Sequence, residues 1–253
     1  MYQGFYDLTS GMLTQQRNLN VLSNNMVNIQ TAGYKEDTQH NTTFAEAVLN
    51  RVKKYDRDDR TPLASVSPIV TPDEVTTNYA QGSLKVTNNI YDFAISGDGF
   101  FEVETEAGVQ YTRNGSFTVD DNGTLQLEGM GPVLDVAGNT ITLPNEDFSV
   151  DDSGTIRDAD GAELAQIGLV NFQSTDDLHK EDNGMYTSAT DAIPVEDRQQ
   201  NKVIWKTLED SNVDMVGQMT KMMSTQRSYQ ASAQLLKMYD SILSKAATDV
   251  GRV

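Results

Sequence analysis

The residues best suited to chemistry are the Asp-rich segments of the central region, whose carboxylates could bind Ca²⁺. Segment 119–125 (VDDNGTL) recurs as segment 150–156 (VDDSGTI). An EF-hand loop needs an acid five residues before its invariant Gly and a Glu six residues after it. The candidate loops lack that acid. The residues five positions before Gly123, Gly154 and Gly161 are Thr118, Ser149 and Ile156. We therefore predict hairpin turns, for which Asp, Asn and Gly are typical, and no metal site.

Other arrangements of catalytic residues are weaker still. Gly97-Asp98-Gly99 supplies two of three dinucleotide-binding glycines, but Glu102 occupies the third position. The two histidines, His40 and His179, stand alone in polar segments, and the chain has no Cys. Acids are so numerous in the middle that no carboxylate pair for glycoside hydrolysis stands out. We expect no catalytic residues and no cofactor, and a protein that is not an enzyme.

Net charge separates the ends of the chain from its middle. The whole chain carries −18, whereas residues 1–34 are neutral and residues 211–253 carry +2, which leaves −20 for the middle. This acidity argues against nucleic acid as a partner. No run of 18 apolar residues is present to span a membrane. Since the N-terminus also lacks the pattern of a Sec signal peptide, we expect either a cytoplasmic protein or one that uses another exporter.

The N-terminal segment 5–34 has the spacing of a helix with one apolar side. Between Leu8 and Tyr34 its only charge is Arg17, and its other polar residues are neutral. A surface helix normally carries charges on its wet face, so we interpret this helix as covered on more than one side. The alternative is a buried helix of a monomeric domain. Gly33 is the predicted stop signal. The predicted interface stripe consists of Phe5, Leu8, Met12, Leu19, Leu22, Met26 and Ile29.

The C-terminal segment predicts a second long helix. Ser211 is the expected N-cap of a capping box that includes Asp214. If it is continuous to about residue 248, the helix is on the order of 50 Å long, and it could lie antiparallel against the first helix as a coiled coil. Eight of the 10 Met fall in residues 1–34 and 211–253, which favours an interaction surface. The predicted interface stripe includes Met215, Met219, Met222, Tyr229, Leu236 and Leu243, with Gln226 and Ala233 at intervening positions.

Between the helices we predict an irregular linker and then an antiparallel β domain, which makes the fold class α+β. The linker, 35–80, is polar and contains a charge run, with one short helical turn at Phe44, Val48 and Leu49. The β domain, 81–207, shows alternating runs at 100–104, 109–112, 116–119 and 140–143. Its predicted core consists of Leu125, Leu127, Val133, Ile141, Leu143, Ile156, Leu164, Ile167, Leu169, Val170 and Phe172.

Three groups of motifs resemble the bacterial flagellar rod–hook proteins. They lie at both ends and in the middle of the chain, in the order and near the spacing of that family. Two departures are Thr87-Asn88-Asn89, where the family has Thr-Gly-Asn, and Gln230 with Ser232, where it has an acid and an amide. The matching residues are Asn24, Asn25, Asn28, Thr31, Gly33, Tyr34 and Lys35; then Gly97, Gly99, Phe100, Phe101, Arg113, Asn114 and Gly115; and finally Ser211, Asn212, Val213, Asp214, Gln226, Arg227 and Tyr229.

The resemblance implies a structural subunit of the flagellar basal-body rod. In that family the terminal helices pair and line a hollow helical tube, with the β domain outside them. Subunits pass unfolded through the flagellar type III exporter and assemble with themselves and with neighbouring rod and hook subunits, outside the cytoplasmic membrane within the cell envelope. Segment 44–48, with Phe44 and Val48, resembles the Phe-x-x-x-apolar segment that docks early subunits at the export gate.

Three alternatives remain open from the sequence. The chain is similar in length to rod subunits, but a hook or hook-junction subunit of the same family has the same motifs. A β-rich binding module that dimerises through a terminal coiled coil would show the same two helices. An envelope-remodelling hydrolase would need a carboxylate pair that the sequence does not single out. Tubes or filaments of concentrated protein would favour the rod, and a fixed dimer would favour the module.

Overall fold

The computed structural model describes residues 2–43, 70–145, 147–181, 183–195 and 201–250. These residues form two compact units. We call them the helical unit and the β unit. The β unit comprises Asn28–Glu36 and Tyr79–Val213, and so includes a short segment from near the N-terminus in addition to the predicted central region.

The helical unit contains two long helices and one pair of strands. Helix α1 (Tyr2–Val27) contacts helix α2 (Met215–Val250) and also the antiparallel strands β1 (Asp37–Thr43) and β2 (Val70–Thr77). Within this unit α1 is therefore covered by two different partners, as its lack of charge suggests. The fold class of terminal helices and a β-rich centre is confirmed.

Strands β1 and β2 correct the interpretation of 35–80 as irregular. Both strands are polar, and β1 reads DTQHNTT, so the apolar alternation that identifies a strand is missing. Their threonines are β-branched and suit an extended backbone. Phe44, Val48 and Leu49, the predicted helical turn, lie outside the described residues.

Helix α1 ends at Val27, earlier than the predicted stop at Gly33. After Val27, the Thr31 hydroxyl donates to the Asn28 side-chain oxygen (3.2 Å) and the Thr31 N–H donates to the Asn28 carbonyl (3.1 Å). Such local bonds compete with helical ones. Gly33 has a different requirement: its φ is +69°, and an added Cβ would lie 2.3 Å from the carbonyl carbon of Arg113. The glycine permits a close approach of two backbones in the β unit.

Helix α2 begins at Met215, so its N-cap is Asp214 and not Ser211. The Asp214 carboxylate accepts a hydrogen bond from the Val216 N–H (3.1 Å), which is the bond that an N-cap residue makes to the second helical residue. The Ser211 hydroxyl instead accepts a longer bond from the Val213 N–H (3.3 Å). The predicted capping box is therefore wrong, because its acid caps the helix directly.

The β unit is a set of small antiparallel sheets, as predicted. The largest has the strand order β14-β15-β6-β5-β13-β16, and the others are β7-β8-β9, β10-β11-β12, β17-β4 and β18-β3. The strands are β3 (Leu84–Val86), β4 (Phe93–Ser96), β5 (Phe100–Thr105), β6 (Gly108–Thr112), β7 (Phe117–Val119), β8 (Leu125–Leu127), β9 (Gly131–Pro132), β10 (Phe148–Val150), β11 (Thr155–Asp158), β12 (Glu163–Gln166), β13 (Leu169–Asn171), β14 (Leu178–Lys180), β15 (Tyr186–Ser188), β16 (Ile193–Pro194), β17 (Lys202–Trp205) and β18 (Thr207–Glu209), with a 3₁₀ turn at Thr175–Asp177.

The core of the β unit consists of two apolar clusters. The larger contains most of the predicted core, and the smaller is centred on Phe100 with Val170 and Phe172. Leu164 is the exception, because it is only half-buried. The predicted strand at 140–143 forms isolated bridges only, although its apolar side chains Ile141 and Leu143 are buried.

The Asp-rich segments form one recurring turn. In each case the N–H of a glycine donates to the carbonyl of the residue three positions earlier, and that residue's N–H donates to the carbonyl four positions later. These glycines have φ of +79° to +81°, where only glycine is unstrained. The predicted hairpin turns are confirmed at 120–124 and 151–155. The turns start at Asp120, Asp135, Asp151, Asp158 and Glu181 and contain Gly123, Gly138, Gly154, Gly161 and Gly184.

Candidate functional sites

The less exposed side of α2 follows an alternating four-and-three spacing, the period of a coiled-coil seam. Of the predicted stripe, Met222, Tyr229, Leu236 and Leu243 lie on this side and are half-buried. Met219 and Gln226 lie off it, whereas Met215 continues its spacing, and all three are exposed. Polar residues fill the remaining seam positions. For this reason the stripe predicted from apolar residues departs from the observed seam at its N-terminal end. The seam consists of Gln218, Met222, Thr225, Tyr229, Ser232, Leu236, Tyr239 and Leu243.

Among the α1 side chains whose burial the structure describes, the most deeply buried are polar: Asn25 and Thr14. Among the predicted stripe residues, Leu22 is buried and Phe5 is exposed, and Ile29 is half-buried beyond the helix end. Asn25 is fully buried: its amide nitrogen donates to the Asp37 carbonyl (2.8 Å), and its side-chain oxygen accepts from the Asp37 N–H (3.0 Å). Asn25 thus joins α1 to the start of β1. The remaining stripe residues, Leu8, Met12, Leu19 and Met26, are half-buried.

Outside the seam, α2 exposes apolar residues to solvent. Met219 is 47% exposed and Met223 is 55% exposed. The exposed apolar residues do not share one side of the helix: Met219 and Met223 are one turn apart on one flank of the seam, whereas Leu235, Met238 and Ile242 follow helical spacing on the other flank. Exposed apolar patches mark interaction surfaces. We call this set the exposed α2 stripe: Met215, Val216, Met219, Met223, Leu235, Met238 and Ile242.

A buried ion cluster lies in the β unit. The Nζ of Lys35 is 2.5 Å from one carboxylate oxygen of Glu209, and a guanidinium nitrogen of Arg113 is 3.4 Å from the other. The side chains of Lys35 and Glu209 are each 1% exposed, and that of Arg113 is 4% exposed. Lys35 also donates to the Ala80 carbonyl (2.9 Å), and the Gly82 N–H donates to Glu209 (2.8 Å). One carboxylate therefore faces two buried cations.

Burial and Glu209 have opposite effects on the pKa of both cations in this cluster. Burial lowers the pKa of Lys35, and the hydrogen bond and charge of Glu209 oppose that shift. Burial also lowers the pKa of Arg113, again opposed mainly by Glu209. Removing Glu209 would leave two charges without their shared counter-ion in an apolar setting, and that cost is high.

Asn212 links the same chain segments by hydrogen bonds. Its side-chain oxygen accepts from the Glu36 N–H (2.7 Å), and its amide nitrogen donates to the Ala80 carbonyl (2.9 Å). Its backbone N–H donates to the Tyr34 carbonyl (3.4 Å). The Asn212 side chain thus bonds to backbone groups of two segments that are far away in sequence. We call the whole arrangement the connector node: segments 33–36, 80–82 and 209–212, together with Arg113.

Lys180 supports the connector node from strand β14. Its Nζ lies 3.7 Å from the centroid of the Tyr34 ring and donates to the Lys35 carbonyl (3.0 Å). A cation over an aromatic face is attracted by the ring quadrupole. The Arg113 guanidinium is likewise 5.2 Å from the centroid of Phe100, which belongs to the smaller apolar cluster. These contacts tie the node to the core of the β unit.

The other motif residues mainly serve packing. An added Cβ at Gly115 would lie 1.7 Å from the Phe93 carbonyl oxygen, and Phe101 is fully buried. The side-chain oxygen of Asn114 accepts a hydrogen bond from the Ser116 N–H (3.0 Å) in a local turn. At the remaining motif positions, Gly97 and Gly99 have positive φ, Asn28 is half-buried, and Asn24, Thr31, Gln226 and Arg227 are exposed.

Glu209 is the member of the node that sequence reasoning missed. Lys35 and Asn212 belong to the family motifs, but Glu209 lies between Leu208 and Asp210 in an acidic chain, and no spacing distinguishes it. No group of three or more His, Cys, Asp or Glu that could hold a metal occurs among the described residues. Over the same residues, no helix is long and apolar enough to cross a membrane.

Three protein-family profiles match the chain in order. They are Flagella basal body rod protein over residues 5–35, Flagellar hook protein FlgE/F/G D1 domain over residues 94–157, and Flagellar basal body rod FlgEFG protein C-terminal over residues 206–249. All three regions contain residues of the connector node or of the two helices.

Full-length relatives give the same result. The chain is 30% identical to the flagellar hook-basal body complex protein FlhO of Bacillus subtilis, with 100% of both chains covered. It is 30% identical to the flagellar basal-body rod protein FlgG of the same organism, covering 96% of this chain and 97% of the relative. It is also 30% identical to the flagellar basal-body rod protein FlgF of Caulobacter vibrioides, with 100% of both covered.

Proposed function

The chain belongs to the family of flagellar basal-body rod and hook proteins and is a structural subunit of the flagellar basal-body rod, and from this we propose that it polymerises through its terminal helices into a hollow helical drive shaft. The observation that carries the proposal is the exposed α2 stripe, because exposed large apolar side chains mark interaction surfaces. Helix α1 adds a second feature: its only charges are Asp7 and Arg17, and core positions of protein interfaces are depleted in charge in the same way.

We propose that α1 and α2 pair as an antiparallel coiled coil. In support, the two helices contact each other within the helical unit, and α2 has a seam with alternating four-and-three spacing. Leu22 of α1 lies beside Thr225 of α2 at a shared groove. The polar residues of the seam would fix the register in which the two helices pair, at some cost in stability, because a buried polar residue in a seam penalises other registers.

The exposed α2 stripe is then available for neighbouring subunits. A surface that meets a different surface of an identical chain gives a head-to-tail contact, and repetition of that contact builds an open helical filament. We propose that the stripe meets the helical unit of the next copy. The further partners, neighbouring rod and hook subunits, follow from the same family membership.

Polymerisation of purified protein tests this proposal. We expect concentrated wild-type protein to form tubes or filaments visible by electron microscopy, and Met223→Asp to remain monomeric with an unchanged melting curve. The matched control is Val109→Asp, which adds the same charge at an exposed apolar site of the β unit. A fixed dimer of the wild type would instead favour the binding-module alternative, and polymers of Met223→Asp would exclude this surface.

Export by the flagellar type III apparatus and the role of Phe44 and Val48 at the export gate are also proposals. They rest on family membership and on the Phe-x-x-x-apolar pattern. Its relatives include both basal-body rod proteins and a hook-basal body complex protein. Proteins of this family are structural, which leaves the hydrolase alternative without support.

A further inference from the structure

We propose that the connector node is the junction through which mechanical force enters the β unit. The node lies wholly within that unit, but it holds the chain segments by which the β unit is covalently joined to the helical unit. The inference rests on the proposed function: in a rotating shaft, torque on the helices reaches the β unit through these covalent connections.

The connectivity of the chain makes this inference specific. The chain passes between the two units after Val27, after Glu36, after Asn78 and after Val213. Segment 33–36 lies just before the second passage. Segments 80–82 and 209–212 border the third and the fourth. A pull through the second, third or fourth connection therefore reaches the β unit at residues of the node or next to them, and a pull through the first reaches the node after segment 28–32.

The chemistry of the node suits a junction of this kind. Glu209, in the third segment, binds the other two at once: its carboxylate accepts from Lys35 and from the Gly82 N–H, and its carbonyl accepts from the Gly33 N–H (2.7 Å). Opening segment 33–36 thus separates the buried charge of Lys35 from this carboxylate, and opening segment 80–82 removes the Gly82 hydrogen bond to the same carboxylate. Such bonds share load, whereas isolated exposed ion pairs contribute little.

The inference differs from a general role in stability. An interaction that merely stabilises the fold should affect global unfolding whichever points are pulled. An interaction at a force junction should control the first opening event under load, because forced unfolding reports an opening rate and not an equilibrium. The two roles separate when node variants are compared with a core variant of the same unit.

Single-molecule force spectroscopy makes that comparison. The chain has no Cys, so Val27→Cys and Asp121→Cys, both at exposed positions, supply unique handles at the end of α1 and in a turn of the β unit. At constant force we expect Glu209→Gln to shorten the lifetime before the first opening step by roughly a hundredfold, the factor typical of losing one partner of a buried ion pair. Asn212→Ala keeps the ion cluster and should shorten this lifetime by a smaller factor.

Two controls make the result decisive. Lys202→Met removes the exposed Lys202–Asp152 pair of the same unit and should change the lifetime by less than about fivefold. Ile156→Val lowers global stability by removing a buried methyl group and should leave the first step nearly unchanged. The proposal is overturned if the node variants open at the wild-type rate, or if Ile156→Val shortens the first step as much as they do. Because monomers are pulled, a failure here is independent of whether the protein polymerises.

Discussion

Lys35 and Glu209 are 174 residues apart in the chain, yet the Lys35 Nζ lies 2.5 Å from the Glu209 carboxylate and both side chains are buried. Through this contact, the β unit includes a segment that is separated in sequence from the rest of the unit by strands β1 and β2 of the helical unit. Contacts of such sequence separation close a large loop and form at a high cost in chain entropy. The integrity of the β unit therefore depends on residues 33–36, which lie outside the central region of the sequence.

Glu209→Leu should destabilise the β unit by about 3–5 kcal/mol, because two buried cations lose their shared carboxylate. Urea denaturation followed by tryptophan fluorescence measures this, since the single Trp205 is part of the β unit. The variant Lys35→Met combined with Glu209→Leu should recover part of the loss. If the double variant is as unstable as the sum of the single ones, Lys35 and Glu209 do not act as a pair.

Gly33→Ala should be among the most damaging glycine substitutions. The new Cβ would lie 2.3 Å from backbone atoms of Arg113, in addition to the strain of φ +69°. Gly138→Ala is the matched control, since Gly138 has φ +81° but open space around its Cα. We expect about 1–2 kcal/mol for the control, the cost of the left-handed conformation, and a clearly larger loss for Gly33→Ala. Equal shifts in melting temperature for Gly33→Ala and Gly138→Ala would mean that the backbones at residue 33 and Arg113 move apart at no cost in stability.

The turn at Asp151 should contribute to stability in a pH-dependent way. Partial burial raises the pKa of the Asp151 carboxyl, but hydrogen bonds from Ser153 and Thr155 outweigh it and hold the pKa below its usual range. The unfolded chain then binds the proton more readily, so this contribution is present above the ordinary Asp pKa of about 3.9 and is lost as pH falls through the lowered value.

Asp151→Asn should therefore flatten the fall in stability below about pH 4. The effect should be modest, because the carboxylate is partly exposed and solvent screens it. Glu106→Gln, at an exposed position between β5 and β6, removes one charge of the same sign and serves as the control. Denaturation midpoints from pH 2 to 7 give the comparison, and identical acid slopes for wild type and Asp151→Asn would contradict the account.

Phe44→Ala should retain the subunit inside the cell while the purified variant still folds and polymerises. The expectation follows from the similarity of segment 44–48 to export-gate segments. Secreted fraction and melting temperature must be measured together, because loss of a buried aromatic would lower the melting temperature by several degrees. A variant that is secreted at the normal rate would exclude the export role whatever its stability.

The sequence predicts the structure correctly where a local pattern is compatible with only one backbone conformation. The Asn-Gly and Ser-Gly pairs after Asp120 and Asp151 predicted hairpin turns that the structure contains, because only glycine accepts a left-handed φ there at no cost. Alternating apolar residues located β5 and β6 correctly. In these cases the local pattern and the tertiary fold require the same residues.

The same reasoning failed where polar residues are buried. Gln218 and Thr225 occupy the seam of α2, and Asn25 occupies the tightest position on α1, but apolar counting skips all three. Glu209 is invisible for a similar reason: an acid in a chain of net charge −18 looks solvated until a partner 174 residues away is brought to it. Burial of polar groups is decided by tertiary partners that no local window contains.

Antibody labelling of isolated flagellar basal bodies tests most directly that this chain is a structural rod subunit. Gold particles against an epitope in the β unit, viewed by electron microscopy, should decorate the rod between the cytoplasmic membrane and the hook. A strain that lacks the protein should show no label and should assemble no structure beyond the labelled position. Basal bodies of the wild type that carry no label, with the protein recovered in another cell fraction, would contradict the account.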